Sequence, residues 1–318
     1  RAKGIPGPEA QRDEPETEEL KRGTGISQIG LVRPGGPAKL SRLSPGVEED
    51  RLWSDSDDWE PVVAADRSSS YVYQMTTRLT PADSVVIFRA SSDGGATYGP
   101  DQVIEETGTG LQQYDPQLAV TDDGTVFAAW LETPTWETNV AHSSDHGATW
   151  SPPVSVENNL RWTDHGWLAV SGDGRDVYVG FNKTDSFVAS SHDGGASFAL
   201  PVRTNQTGRT WYHTGGAVAP DGTVWFGAAE YAERYDGRIR VYALRSTDGG
   251  ASFTSTWLDF SFAAPRCAWS PGCYWGFLGP GTGLAVDEAG TVLFAYNAGR
   301  AFTAETGAAA AGVAEAHR

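Results

Sequence analysis

The scarcity of certain residue types already excludes several kinds of protein. The 318 residues include two cysteines and one methionine, and 24 Lys and Arg stand against 41 Asp and Glu, a formal net charge of −17. No basic cluster is present, and a nucleic-acid surface needs one, so we expect no nucleic-acid partner. No run of 18 apolar residues is present either, so no membrane-spanning helix is predicted.

The two cysteines are close together in the chain. Cys267 and Cys273 flank the turn-forming pair Pro271 and Gly272, which predicts a short disulfide-closed loop. Free thiols, or half of a metal site, are the alternatives. Because a disulfide needs an oxidising compartment, and the chain is acidic and begins at Arg1, we expect either a secreted protein whose signal peptide was removed or a fragment.

Glycine and tryptophan are abundant where cysteine and methionine are rare. The 38 Gly and 12 Trp indicate many tight turns and many aromatic side chains packed between sheets. The length suits one large all-β domain, because such domains often exceed the usual domain size. The composition therefore predicts β structure rather than helical bundles.

An eight-residue motif, Ser-x-Asp-x-Gly-x-Thr/Ser-aromatic, occurs four times. Its copies are Ser91–Tyr98, Ser143–Trp150, Ser191–Phe198 and Ser246–Phe253, with aspartates Asp93, Asp145, Asp193 and Asp248. Successive aspartates are 52, 48 and 55 residues apart, the length of one propeller blade. The carboxylate can accept backbone N–H groups across a turn, and glycine supplies a positive φ. We interpret these four aspartates as turn-forming rather than catalytic.

A hairpin of two short apolar strands around an Asp/Gly turn precedes the later motifs and recurs near the C-terminus. Its copies are 117–130, 167–181, 217–227 and 284–296. A third strand leads into each eight-residue motif and a fourth follows it. The repeat therefore predicts four-stranded antiparallel blades.

These motifs resemble the Asp-box, or bacterial neuraminidase, repeats of the sialidase superfamily over roughly Trp59 to Tyr296. The resemblance implies an all-β fold, a β-propeller of the six-bladed sialidase type. Asp boxes also occur in propellers that are not sialidases, so the fold is implied more strongly than the activity. We predict a linker-like or disordered segment at 1–45, the propeller at 46–302 and an Ala-rich tail at 303–318. The last repeat is expected to stop after its second strand, which leaves ring closure open.

Blade topology predicts which end of the propeller carries a site. The Asp boxes and the Asp/Gly turns should share one end, and the opposite end should carry the starts of inner strands and the ends of second strands. Ligands of propellers favour the end around the central channel. The candidates at that end are Tyr114, Asp115, Asp164, His165, Trp211, Tyr212, His213 and Trp275 from inner strands, with Arg78, Arg209, Glu230 and Arg300 nearby.

The resemblance also implies roles for these candidates. Sialidases bind the sugar carboxylate with an arginine cluster and use an Asp acid/base with a Tyr nucleophile activated by a Glu. The catalytic candidates are therefore Asp115, Asp164, His213, Tyr212 and Glu230. Arg78, Arg209, Arg300, Tyr114, His165, Trp211 and Trp275 would bind substrate. The Arg-Ile-Pro motif of sialidases is absent. His165 and His213 could instead be ordinary loop histidines, and the tryptophans structural.

The expected function is that of a secreted glycoside hydrolase of the exo-α-sialidase type, acting on a carbohydrate or glycoprotein substrate. The alternative is a non-catalytic propeller that binds glycan or protein through the same end. We predict a monomer without cofactor or metal. The acidic stretch 55–58 is interpreted as a solvated loop rather than a calcium site.

Overall fold

The structure is a computed structural model. It describes residues 54, 56–80, 83–105, 110–157, 160, 163–183, 185–205, 210–231, 239–261, 282–299 and 311–316. Backbone contacts divide the chain into Arg1–Asp57 and Asp58–Arg318. The strands lie in the second unit, except that the first strand begins one residue earlier, at Asp57.

The described residues form five sheets, which we call blades 1 to 5 in chain order. Blades 1 to 4 have four strands each, in sequence order, and the paired neighbours are antiparallel. Blade 1 contains β1 (Asp57–Ala65), β2 (Val72–Leu79), β3 (Ser84–Ser91) and β4 (Gln102–Val103). Blade 2 contains β5 (Gln112–Val120), β6 (Val126–Thr133), β7 (Glu137–Ser143) and β8 (Val154–Ser155). This confirms the predicted all-β propeller of four-stranded antiparallel blades.

The later blades repeat the pattern. Blade 3 contains β9 (Asp164–Val170), β10 (Val177–Asn182), β11 (Ser186–Ser191) and β12 (Val202–Arg203). Blade 4 contains β13 (Thr210–Val218), β14 (Val224–Tyr231), β15 (Ile239–Ser246) and β16 (Thr254–Ser261). Blade 5 contains β17 (Thr282–Val286), β18 (Val292–Gly299) and β19 (Ala311–Ala316). The sequence predicted no third strand here, yet β19 pairs with β18, because a short Ala/Val segment can join an edge by backbone hydrogen bonds alone.

Each Asp-box turn has the same hydrogen bonds. In the second turn, Asp145 Oδ1 accepts from the backbone N of Thr149 at 2.8 Å, and Oδ2 accepts from the Thr149 hydroxyl at 2.6 Å. The hydroxyl of Ser143 also donates to Asp145. Hydrogen bonds from Thr97 to Asp93, from Thr149 to Asp145 and from Ser197 to Asp193 lower the pKa of each aspartate to about 2. The carboxylate therefore organises its own turn.

The Asp-box turns and the turns between first and second strands lie at the same end of the blades. Gly94 N donates to Ser70 O at 2.8 Å in blade 1, and Gly194 N donates to Arg175 O at 2.9 Å in blade 3. The starts of the inner strands therefore lie at the opposite end.

The core lies between successive blades rather than within one sheet. Between blades 1 and 2, Tyr73, Met75 and Phe88 pack against Val126 and Trp130. Similar clusters join blades 2 and 3, 3 and 4, and 4 and 5. Burial of one such large side chain contributes about 1.5–3 kcal/mol. In blades 2 to 4 the second strand is covered on both faces, so its sequence is apolar along most of its length instead of alternating.

Candidate functional site

Three inner strands carry an ionisable residue in an unusual backbone conformation at the same place. Glu60, Asp115 and His165 have φ of 53°, 51° and 55°, and each lies five residues before the end of its strand. At Asp115 and His165 the strand pairing shifts register, which marks a β-bulge. A non-glycine residue in this region costs on the order of 1–3 kcal/mol. Such bulges redirect a side chain and are common beside functional sites.

The bulges bring three side chains of blades 2 and 3 together. One carboxylate oxygen each of Asp115 and Asp164 and one imidazole nitrogen of His165 all lie within 4.8 Å of one another. His165 Nδ1 is 3.5 Å from Asp115 Oδ1. The Asp115 side chain is only 4% exposed, whereas that of His165 is 36% exposed. Asp115 therefore lies behind His165, and His165 is the member of the pair that solvent reaches.

The surrounding carboxylates control the charge of His165. Burial by itself would lower the pKa of its imidazole, but the charge and hydrogen bond of Asp115 raise it, and the charges of Asp164 and Glu60 add to the rise. The net result is a pKa above the ordinary value of 6.5. His165 is therefore protonated at neutral pH, between two carboxylates.

The same three groups have the chemistry of a cation site. Two carboxylates and an imidazole within 4.8 Å could ligate one divalent ion. An ion on the imidazole would have to displace the proton that Asp115 stabilises there. The sequence predicted no bound metal. In this geometry, any added cation would compete with the proton for the imidazole of His165.

His213 is not part of this group, although the sequence predicted it as a catalytic residue together with Asp115 and Asp164. It also lies five residues before the end of its strand, but the register shift in β13 comes after it, towards Gly216. Its ring is 1% exposed and packs against Phe226 at 5.2 Å, beside Gly180 of blade 3. Burial lowers its pKa to about 3. His213 is a neutral core residue.

Glu230 is held in blade 4, with a different tyrosine from the one we expected. Tyr242 Oη donates to Glu230 Oε2 at 2.7 Å, and Arg240 Nη1 donates to Oε1 at 2.9 Å. Glu230 is 4% exposed. Tyr212, the expected partner, packs its ring against Tyr231 at 5.5 Å. Tyr212 and Glu230 both lie at the predicted end of the blade. Because side chains alternate along the strands, however, Glu230 shares a face of the sheet with Tyr242 and not with Tyr212.

The predicted aromatic binding residues are engaged in packing. Trp211 is 5% exposed and its ring lies 4.3 Å from that of Tyr242, so it is a core residue rather than an open stacking platform. Tyr114 is half-buried, stacks on Trp136 and donates a hydrogen bond to Gln112 Oε1 at 2.6 Å.

Arg78, which was predicted to bind substrate, is already paired with carboxylates of the protein itself. Its Nε and Nη2 donate to the two oxygens of Asp58 at 2.7 and 3.0 Å, and Nη1 donates to Asp101. The arginine side chain is 15% exposed. Arg78 therefore serves an ion-pair network of blade 1. Arg209, Trp275, Arg300, Cys267 and Cys273 lie outside the described residues.

Glu60, in the first inner strand, was not among the site residues predicted from the sequence. The signal that could have found it is positional: when the inner strands are aligned on their last residue, Glu60 takes the same place as Asp115 and His165.

No helix in the described part of the chain is long and apolar enough to cross a membrane.

No family model and no curated protein sequence matches the chain. Several solved structures are similar in fold. A protein of unknown function from Dyadobacter fermentans superposes with a TM-score of 0.51 at 19% identity, covering 76% of each chain. An α-L-arabinanase from Penicillium chrysogenum, complexed with arabinobiose, gives 0.52 at 15% identity, covering 77% of this chain and 76% of that one. An ulvan lyase of polysaccharide lyase family 25, bound to a saccharide, gives 0.51 at 13%, covering 80% and 69%. At these identities the likeness shows the propeller fold.

Proposed function

We propose that this protein is a glycan-acting hydrolase whose active site contains Asp115, Asp164 and His165. The observation that carries the proposal is the convergence of Asp115, Asp164 and His165, of which Asp115 and His165 occupy strained bulge positions of neighbouring blades. Strain of this kind persists only where the surrounding structure enforces it, and it clusters at active sites. A shifted pKa beside specific charge partners is a second mark of such sites.

The group can carry out the steps of glycosidic bond cleavage. A proton must reach the leaving oxygen, and a carboxylate must stabilise or attack the cationic sugar carbon. Protonated His165, which is half-buried, is the acid, and Asp164 beside it is the carboxylate. Asp115 orients the imidazole and stabilises its charge. Close spacing of the two reacting groups favours retention of configuration, since inversion needs room for a water molecule.

Two propellers of similar fold support a glycan as the substrate class. The arabinanase is complexed with arabinobiose, and the ulvan lyase is bound to a saccharide of glucuronic acid and sulfated rhamnose. The acidic surroundings of His165 favour a neutral glycan at the reacting end, because an anionic sugar would meet two carboxylates.

An exo-α-sialidase is the more specific candidate, and the Asp-box turns support it. That activity requires arginines for the carboxylate of sialic acid. Arg78 is already paired with Asp58 and Asp101, which weighs against it as one of them. Secretion, inferred from acidity and cysteine spacing, is proposed together with this extracellular substrate class. A propeller that binds glycan without cleaving it is the remaining candidate.

A panel of fluorogenic glycosides, neutral and sialylated, tests these proposals on the full chain. We expect turnover of a neutral glycoside, with loss of about 100-fold or more in His165→Gln and Asp164→Asn. The matched control is His192→Gln, an exposed histidine that is paired with Asp176 and occupies the variable second position of the third Asp box. Turnover of the sialoside alone would select the sialidase. Saccharide binding without turnover in the wild type would replace the hydrolase with a binding protein.

A further inference from the structure

The carboxylate of Glu60 reaches from blade 1 to the backbone of blade 2. Glu60 Oε2 accepts a hydrogen bond from the backbone N of Asp115 at 2.8 Å, although the two residues are 55 positions apart in the chain. The same oxygen accepts from the hydroxyl of Thr77 at 3.2 Å. Thr77 is 1% exposed, so its hydroxyl is a fixed donor. Thr77 thus holds the Glu60 carboxylate in place, and this carboxylate in turn holds the backbone amide of Asp115.

The bond falls where the strand ladder cannot support the backbone. Pairing between β5 and β6 passes from Tyr114 directly to Gln117, so the bulge removes the amide of Asp115 from the ladder. A buried amide needs an acceptor, and a charged acceptor makes a stronger hydrogen bond than a neutral one. The Glu60 carboxylate supplies that acceptor and offsets the strain of the left-handed conformation at Asp115.

The conformation of Asp115 decides where its carboxylate points. With φ of 51°, Asp115 directs Oδ1 to a point 3.5 Å from His165 Nδ1. At the corresponding place in blade 4 the bulge is shifted, and His213 there turns into the core. Within this molecule, a different bulge position thus accompanies a different direction of the side chain.

We propose that Glu60 is a positioning residue, whose carboxylate fixes the bulge of Asp115 and thereby holds the Asp115 carboxylate against His165. The proposal rests on the function proposed above for its meaning in catalysis, but its structural content is separate. Glu60, Asp115 and His165 then form a relay across three neighbouring blades. Glu60 acts through Asp115.

Two substitutions separate the hydrogen bond from the charge. Glu60→Ala removes both, whereas Glu60→Gln keeps an oxygen that can accept from the Asp115 amide. The first readout is the amide chemical shift of Asp115, and the second is the pKa of His165 from its imidazole resonances. His165→Gln identifies that signal among the six histidines. Glu288→Gln, in an exposed turn of blade 5, is the matched control.

In Glu60→Ala we expect the Asp115 amide resonance to move upfield and the pKa of His165 to fall by about one unit or more, because a loosened Asp115 stabilises the imidazolium less. In Glu60→Gln we expect the amide shift to stay near the wild-type value, with a smaller fall in the pKa. Glycoside turnover should follow the amide shift: about 100-fold lower kcat in Glu60→Ala, with KM little changed, and rescue in Glu60→Gln.

The proposal is overturned if Glu60→Ala leaves both the amide shift and the pKa of His165 unchanged, or if Glu60→Gln disturbs the amide as much as Glu60→Ala does. Should Glu60→Ala not fold, Glu60→Gln decides alone, since a displaced Asp115 amide in that variant contradicts the proposal. If both readouts respond as expected but the wild type cleaves no glycoside, the positioning of Asp115 stands and the hydrolase proposal fails.

Discussion

His165 Nδ1 lies 3.5 Å from Asp115 Oδ1, across the boundary between blades 3 and 2. The two residues occupy equivalent positions in successive inner strands, and both have a left-handed backbone. A pair that spans two blades couples the charge of the site to the packing of the propeller.

The first prediction concerns the pH dependence of this pair. The pKa of folded His165 lies above 6.5, so its stabilising contribution is complete below pH 6.5 and is lost as the pH rises through the folded value. Asp115→Asn should lower the pKa of His165 and weaken this dependence. Urea unfolding across pH 6 to 10, with NMR titration of the imidazole, measures both. An unchanged imidazole titration in Asp115→Asn would contradict the pairing.

The second prediction concerns Glu157, a fully buried acid after β8. Its Oε1 accepts from Thr138 N at 2.6 Å and from the Thr163 hydroxyl at 2.9 Å, and burial raises its pKa from 4.5 to about 8. Its favourable contribution is therefore complete below pH 4.5 and is lost as the pH rises through 8. Glu157→Gln keeps the acceptor and removes the titration.

We therefore expect the stability of wild type relative to Glu157→Gln to fall between pH 4.5 and 8. Denaturant unfolding of both proteins at several pH values measures the difference. Glu288→Gln, at an exposed acid in a turn of blade 5, is the control. A constant difference across this range would mean that Glu157 is ionised throughout.

The third prediction concerns contact between an Asp-box turn and the preceding blade. Gly147 has φ of +88°, and a Cβ there would lie 2.3 Å from the ring of Phe88. Gly95, at the equivalent position of the turn in blade 1, also has φ of +88°, but a Cβ there would lie 3.3 Å from the Tyr98 hydroxyl and 4.0 Å from Val72. Gly95→Ala should cost about 1 kcal/mol of backbone strain, and Gly147→Ala about 1–3 kcal/mol more through overpacking. Equal costs in thermal or urea unfolding would argue against close packing of the turn on Phe88.

The fourth prediction concerns the Asp-box carboxylates. Asp145→Ala removes the acceptor of the Thr149 amide and hydroxyl, so we expect a lower melting temperature. The imidazole titration of His165 should stay the same, because the turn lies at the far end of the blade. Asp83→Ala, in the short connection before β3, is a control that leaves all Asp boxes intact. A melting temperature equal to that of the wild type, with altered His165 titration, would contradict a purely structural turn.

Much of the fold could be predicted from the sequence alone, because it depends on local chemistry. The Asp boxes, their spacing near 50 residues and the apolar hairpins predicted four-stranded blades, because a carboxylate, a hydroxyl and a glycine within eight residues can close a turn without distant contacts. Strand direction predicted which end of the blades carries the candidate site, and Asp115, Asp164 and His165 lie together at that end.

Tertiary structure alone decided which neighbouring side chains share that space. A bulge displaced by one position leaves His213 in the core while His165 faces solvent, and alternation along strands pairs Glu230 with Tyr242 rather than Tyr212. Arg78 is likewise claimed by Asp58 and Asp101, and Glu60 is linked to Asp115 from 55 residues away. One-residue shifts in register and contacts between blades leave no trace in local patterns, because they depend on how each sheet packs against the next.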